Sequence, residues 1–120
     1  MQKKIVFTGG TGRFGQVFKK VQTKEKVYFP KKQQLNIENF ESIKRYLDKI
    51  NPTYLIHAAG LSRPMNIHDK EISKSINLNI IGTANIVKAC QEKNIKLIYF
   101  STNQIYPGIK GNYKEKHPIL

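Results

Sequence analysis

The sequence is short of several things, and each shortage excludes something. There is one cysteine, Cys90, in 120 residues, so no internal disulfide can brace the fold. Acidic residues number 8 against 21 lysines and arginines, for a formal charge of +13. No apolar run approaches the roughly 20 residues that cross a bilayer. The first such run, Ile5-Val6-Phe7, is too short for the core of a signal peptide, and no small-residue cleavage site follows it. These features predict a cytoplasmic chain with no membrane partner. Cys90 falls in Ile86-Val87-Lys88-Ala89-Cys90, a helical apolar pattern, and reads as a small core residue.

A length of 120 residues suits one compact domain rather than two. A large positive charge can signal nucleic-acid binding. Here the lysines are scattered in ones and twos along the whole chain. No basic stripe is interleaved with aromatics, so a nucleic-acid partner is not expected. The charge reads as a generally basic surface that would attract an anionic ligand such as a nucleotide.

The pattern alternates strands and helices. Strands are expected at Lys4 to Thr8, Lys26 to Phe29, Tyr54 to His57 and Lys96 to Phe100. A helix from Gly12 to about Thr23 carries Phe14, Val17, Phe18 and Val21 at helical spacing. A second, Asn39 to Ile50, carries Phe40, Ile43, Tyr46, Leu47 and Ile50, and Asn51-Pro52 ends it. Leu61 to Lys70 reads as a loop. A long helix runs from about Glu71 to Lys93, with Asn94 as its C-cap. The fold class is therefore α/β, a Rossmann-like parallel sheet with flanking helices, corresponding to its amino-terminal half.

In such sheets ligands bind beyond the carboxyl ends of the strands. Gly9-Gly10-Thr11-Gly12, Ala58-Ala59-Gly60 and Ser101-Thr102 all fall there. The segment Thr8-Gly9-Gly10-Thr11-Gly12-Arg13-Phe14-Gly15 follows a strand and opens a helix. That is the setting in which a glycine pattern binds a pyrophosphate. Gly9 permits the tight turn, Gly12 the close approach of a phosphate, and Gly15 close packing of the helix. Thr11, Arg13 and Phe14 complete the candidate cofactor-binding turn.

The spacing, Gly-x-x-Gly-x-x-Gly, resembles the extended short-chain dehydrogenase/reductase family. More narrowly, the chain is similar to the dTDP-4-dehydrorhamnose reductase group of sugar-nucleotide enzymes. Four stretches carry the resemblance: TGGTGRFG, LNIENFESIKRYLDKINPTYLIHAAG, NLNIIGTANIVKAC and LIYFSTNQIYPG. It implies NADP(H) or NAD(H) as cofactor and a nucleotide sugar as substrate. The reaction implied is hydride transfer from NADPH to a 4-keto sugar. An epimerase or dehydratase of the same family, and a cofactor-binding module without activity, are the alternatives.

Residue by residue, the resemblance sets Asn36 and Ile37 against the adenine, with Asn36 where the family carries Asp. It sets Ala58, Ala59 and Gly60 under the pyrophosphate and the nicotinamide-side ribose. It makes Asn79 the residue that ties the long helix to the active-site backbone. It gives Thr102 the catalytic bond to the substrate oxygen, with Asn103 where the reductases carry Asp. His57, inside a strand, reads as core, and His68 and His117 lack ligand spacing, so no metal is expected. The second strand ends in Phe29-Pro30-Lys31-Lys32 with no carboxylate, which favours a 2′-phosphate, and so NADP(H), through Lys31 and its neighbours.

The family's proton donor is a tyrosine in a Tyr-x-x-x-Lys helix, a little beyond a Glu-x-x-Pro. Glu115-Lys116-His117-Pro118 matches the latter. Tyr106-Pro107-Gly108-Ile109-Lys110 has the former's spacing, but Pro107-Gly108 bars a helix. Residues 1–120 thus read as an NAD(P)-binding Rossmann domain that stops before that helix and the substrate domain. No reductase turnover is expected of it alone. The sheet edge left open points to self-association or to a complementing chain.

Overall fold

A computed structural model describes residues 2–62 and 64–119. Four strands run parallel: β1 (Lys4–Thr8), β2 (Lys26–Tyr28), β3 (Tyr54–His57) and β4 (Lys96–Tyr99). Their spatial order is β2-β1-β3-β4. The chain leaves β1 toward one edge and later returns to its other side, so the topological switch lies between β1 and β3. Their register pairs Thr8 with His57, and His57 pairs in turn with Tyr99 on β4.

Alternation along β1 sends Val6 and Phe7 to opposite faces, and both are fully buried. On the Val6 face lie helices α2 (Phe40–Ile50) and α5 (Gly82–Glu92). Val6, Ile43, Leu47, Leu55, Ile86 and Cys90 form the main core there. Burial pushes the Cys90 thiol up to about 11. Helix α2 starts where the Asn39 side chain accepts the Ser42 N–H, 3.1 Å away. It ends at Asn51, whose φ of 53° is left-handed.

Among the described residues the Phe7 face is covered by one short helix, α1 (Arg13–Phe18), with Phe29 beside it. Phe14 and Phe18 stack on Phe7, with ring centroids 5.7 and 4.9 Å away. Truncating a buried phenylalanine such as Phe7 typically costs 3–5 kcal/mol. α1 is shorter than its apolar pattern predicts. Beyond Phe18 the amides of Lys20 and Val21 bond back three residues, to Val17 and Phe18, and close the helix. Val17 and Val21 point to solvent instead of the sheet.

The expected long helix is a composite. One turn, α4 (Ile72–Ser75), leads into a π-helical turn at Ile76–Ile81 and then into α5. The expected loop before it contains a single helical turn, α3 (Ile67–Lys70). Asn94 follows the helix with a φ of 54°, the conformation that ends helices. No helix among the described residues is long and apolar enough to cross a membrane.

Candidate functional site

The glycine turn sits over the switch point. Gly9 has a φ of +80°, and a Cβ there would lie 2.6 Å from the backbone of Ala58 and Ala59. A Cβ on Gly15 would lie 2.6 Å from Gly10 Cα and Gly9 O. Gly15 thus lets the helix close on the turn rather than on the strand. Gly12 is less constrained, because its nearest conflict is Gly9 O at 3.3 Å. Its N–H donates to that same oxygen, 3.0 Å away, and closes the turn.

A cavity of about 250 Å³ opens on one side of the turn. Gly9, Thr11, Asn36, Ile37, Ala59 and Gly60 line it, all expected from the sequence. Lys32, one of the cations expected after the second strand, joins them, as do Thr8, Pro30, Leu35 and Leu78, which were not singled out. Asn36 is partly committed, since its Oδ1 accepts the Glu38 N–H at 3.0 Å. A second cavity, of about 510 Å³, shares Ala59 and Gly60 with the first. Ala58, Asn79, Thr83, Tyr99 and Thr102 lie along it, with His68 and Met65 at its loop side.

Two polar networks fix the ground between the cavities. Asn79 reaches from the π-helical turn to the loop after β3. Its Oδ1 accepts the Leu61 N–H at 2.7 Å and its Nδ2 donates to the Leu61 carbonyl at 2.8 Å. Single π turns inside helices occur frequently at functional sites. The second network runs through Thr8. Its hydroxyl oxygen accepts the Ala58 and Ala59 N–H groups at 3.2 and 3.3 Å. The same oxygen lies 2.7 Å from His57 Nδ1, and His57 Nε2 lies 3.3 Å from Thr83 Oγ1. His57 is buried, as expected of a core residue. Burial pulls its imidazole down from 6.5 to about 4.

Other expected residues fall elsewhere. Lys31 lines a neighbouring recess of about 380 Å³ with Lys19 and Phe29, and Lys32 is the lysine common to that recess and the first cavity. Arg13 is exposed at the start of α1. Phe14 packs against Phe100, with ring centroids 4.9 Å apart, and belongs to the aromatic cluster beneath the turn. Thr102 Oγ1 accepts the Gln104 N–H at 3.2 Å. The Asn103 side chain lies outside the described residues.

Tyr28 and Lys32 share the Tyr-x-x-x-Lys spacing, which the sequence reading passed over. They lie on β2 and in the turn beyond it, not on a helix. Tyr106 donates its hydroxyl to the Lys114 carbonyl at 3.0 Å and stacks on Tyr113.

Comparison with known proteins places this arrangement. A dTDP-4-dehydrorhamnose reductase from Bacillus anthracis, solved in complex with NADP, superposes with a TM-score of 0.84. It is 26% identical in sequence, over 92% of this chain and 40% of that one. A Thermus thermophilus UDP-glucose 4-epimerase, solved with NAD, has a TM-score of 0.81 at 20% identity, over 98% of this chain and 44% of that one. The beta subunit of rat methionine adenosyltransferase 2 is 24% identical over 95% of this chain. The chain spans 36% of that relative's length. A family model described as the RmlD substrate binding domain matches residues 3–119. The chain belongs to the RmlD substrate binding domain family.

Proposed function

We propose that the chain is the dinucleotide-binding part of a sugar-nucleotide oxidoreductase, most like a dTDP-4-dehydrorhamnose reductase, and that it takes NADP(H) in preference to NAD(H). The observation that carries this reading is the pair of cavities meeting at Ala59 and Gly60, along the carboxyl ends of the parallel strands. A dinucleotide has two such halves joined by a pyrophosphate. Gly9 lines the first cavity beside that joint, and the lack of a Cβ lets the turn lie directly against the Ala58–Ala59 backbone.

Asn36, with Oδ1 turned to Glu38, presents Nδ2 as a donor for a purine ring nitrogen. Lys32, and Lys31 beside it, supply positive charge for a 2′-phosphate. Arg13 stands ready at the surface of the turn. A bound nicotinamide would supply the hydride. Thr102 would donate a hydrogen bond to the substrate's keto oxygen, stabilising the charge that develops there. Asn79 holds the loop that walls this side. The substrate class is a 4-keto nucleotide sugar in the cytoplasm. The Bacillus anthracis reductase, with NADP in its solved complex, supports the cofactor and the activity.

Titration with NADPH and NADH tests the reading. NADPH is expected to bind more tightly, and Lys32→Ala to weaken that preference while leaving NADH affinity within about twofold. Failure to bind either dinucleotide, or tighter binding of NADH, overturns it.

A second reading has support in the rat relative, which is named as a subunit of another enzyme. On that reading the chain binds the dinucleotide and does no chemistry. The chain presents no Tyr-x-x-x-Lys pair on a helix among its described residues. We therefore expect no NADPH oxidation with a dTDP-4-keto sugar by these 120 residues alone. Turnover in that assay would favour the enzyme over the subunit. The β4 face, where Ile98 and Phe100 are exposed, is the surface for pairing with a second copy or a complementing chain.

A further inference from the structure

His57 is a buried polar residue that the proposed chemistry does not use, yet each ring nitrogen has a partner. The Thr8 hydroxyl has one proton and two lone pairs. Its lone pairs face the Ala58 and Ala59 N–H groups, at 3.2 and 3.3 Å. The Ala58 N–H is shared with the Thr8 carbonyl, also 3.2 Å away, but a third donor would still crowd the hydroxyl oxygen and leave its own proton without an acceptor. The 2.7 Å contact with His57 Nδ1 is therefore assigned to the Thr8 proton, with Nδ1 as acceptor. The ring proton then sits on Nε2 and is donated to Thr83 Oγ1, 3.3 Å away on α5. Tyr99 stacks on the ring at 6.0 Å and holds its plane.

We propose that His57 is a positioning residue: as the Nε2–H tautomer it locks the Thr8 hydroxyl as acceptor for Ala58 and Ala59, and so sets the floor shared by the two cavities while tying it to α5. The inference deepens the dinucleotide reading and rests on it for its functional consequence. Ala59 and Gly60 are the residues both cavities share, so a turn of the Thr8 hydroxyl moves the one surface that both halves of a dinucleotide would touch. His57 itself lines neither cavity and acts only through Thr8.

Substitution separates this role from simple filling of space. Asparagine can place an amide oxygen near the Nδ1 position and keep the bond to Thr8. Leucine fills the volume and accepts nothing. His57→Leu is expected to weaken NADPH binding at least tenfold, equivalent to 1.4 kcal/mol, and to shift the Ala58 and Ala59 amide resonances. His57→Asn is expected to stay within about threefold of the wild type, since only the long bond to Thr83 is lost. Nitrogen NMR of the wild-type imidazole needs no variant, and should show Nδ1 unprotonated and Nε2 protonated. A protonated Nδ1 overturns the inference, as does a leucine variant that binds like wild type with unmoved amides. If the wild type binds no dinucleotide, the reading of function fails. The tautomer and the amide shifts of His57→Leu then still decide the role of His57.

Discussion

Gly9 carries two constraints at one position. Its φ of +80° is a conformation that other residues adopt at a cost of about 1–3 kcal/mol. A methyl group there would also press on the Ala58–Ala59 backbone at 2.6 Å, just beyond the end of β3. Gly9→Ala is thus expected to lower stability by at least that amount and to abolish dinucleotide binding. Urea denaturation and an NADPH titration check the two effects separately. His57 makes a different residue-level prediction. Its imidazole titrates near 6.5 when unfolded and near 4 when folded, because burial disfavours the charge. The unfolded chain therefore takes up a proton as the pH falls below 6.5, while the folded chain does so only near 4. The stability linked to His57 is complete above 6.5 and is lost between 6.5 and 4, by up to about 3 kcal/mol. Urea midpoints measured across this window should fall with pH. They should fall less in His57→Asn, which has nothing to titrate there.

At the scale of elements, legibility followed the strength of the local signal. Strands β1 and β3 have the ends their sequence announces, because short apolar runs are bounded by the glycine turn, by Pro52-Thr53 and by Ala58-Ala59-Gly60. Helix α2 was legible for the same reason, through its stripe and Asn51-Pro52. Helix α1 was not, since Val17 and Val21 fit a stripe by spacing while only Phe14 and Phe18 find the sheet. The π-helical turn has no compositional mark, because it differs from an α-helix only in which carbonyl each amide reaches. Lys31 and Lys32 were legible together as the cations after β2, but only the structure shows that Lys32 is the one lining the first cavity. Thr8 and Thr83 were missed because a buried hydroxyl's partners come from distant parts of the chain. Asn79 was legible only through the family resemblance, and the structure supplies its mechanism. Both of its bonds go to Leu61, so Asn79→Ala frees the loop after β3 while leaving α5 packed. The expected result is faster hydrogen exchange at the Leu61 amide and a stability loss of about 1–3 kcal/mol. Unchanged exchange at Leu61 would show that the loop is held by other means.

For the molecule as a whole, charge is the dominant unbalanced quantity. Against 21 cationic side chains stand 8 acidic ones. Those that pair do so mainly at the surface, as in Lys44–Glu92 at 3.6 Å, Lys74–Glu71 at 3.9 Å and Lys93–Asp48. Surface pairs of this kind contribute about 1 kcal/mol at most. They leave a net charge of +13 that repels itself in the folded state more than in the expanded one. Salt shortens the range of that repulsion to about 8 Å at 0.15 M. The melting temperature should therefore rise as NaCl is increased from about 0.01 to 0.15 M, a range in which the Debye length falls from roughly 30 Å. The same screening acts oppositely on a polyanionic ligand, whose approach the field assists. NADPH affinity should fall over that range, and NADH affinity should fall less, since NADH lacks the 2′-phosphate proposed to meet Lys31 and Lys32. A melting temperature that falls with salt would show that attractive pairs outweigh the net charge. Equal salt slopes for the two dinucleotides would show that the lysines after β2 do not meet the extra phosphate.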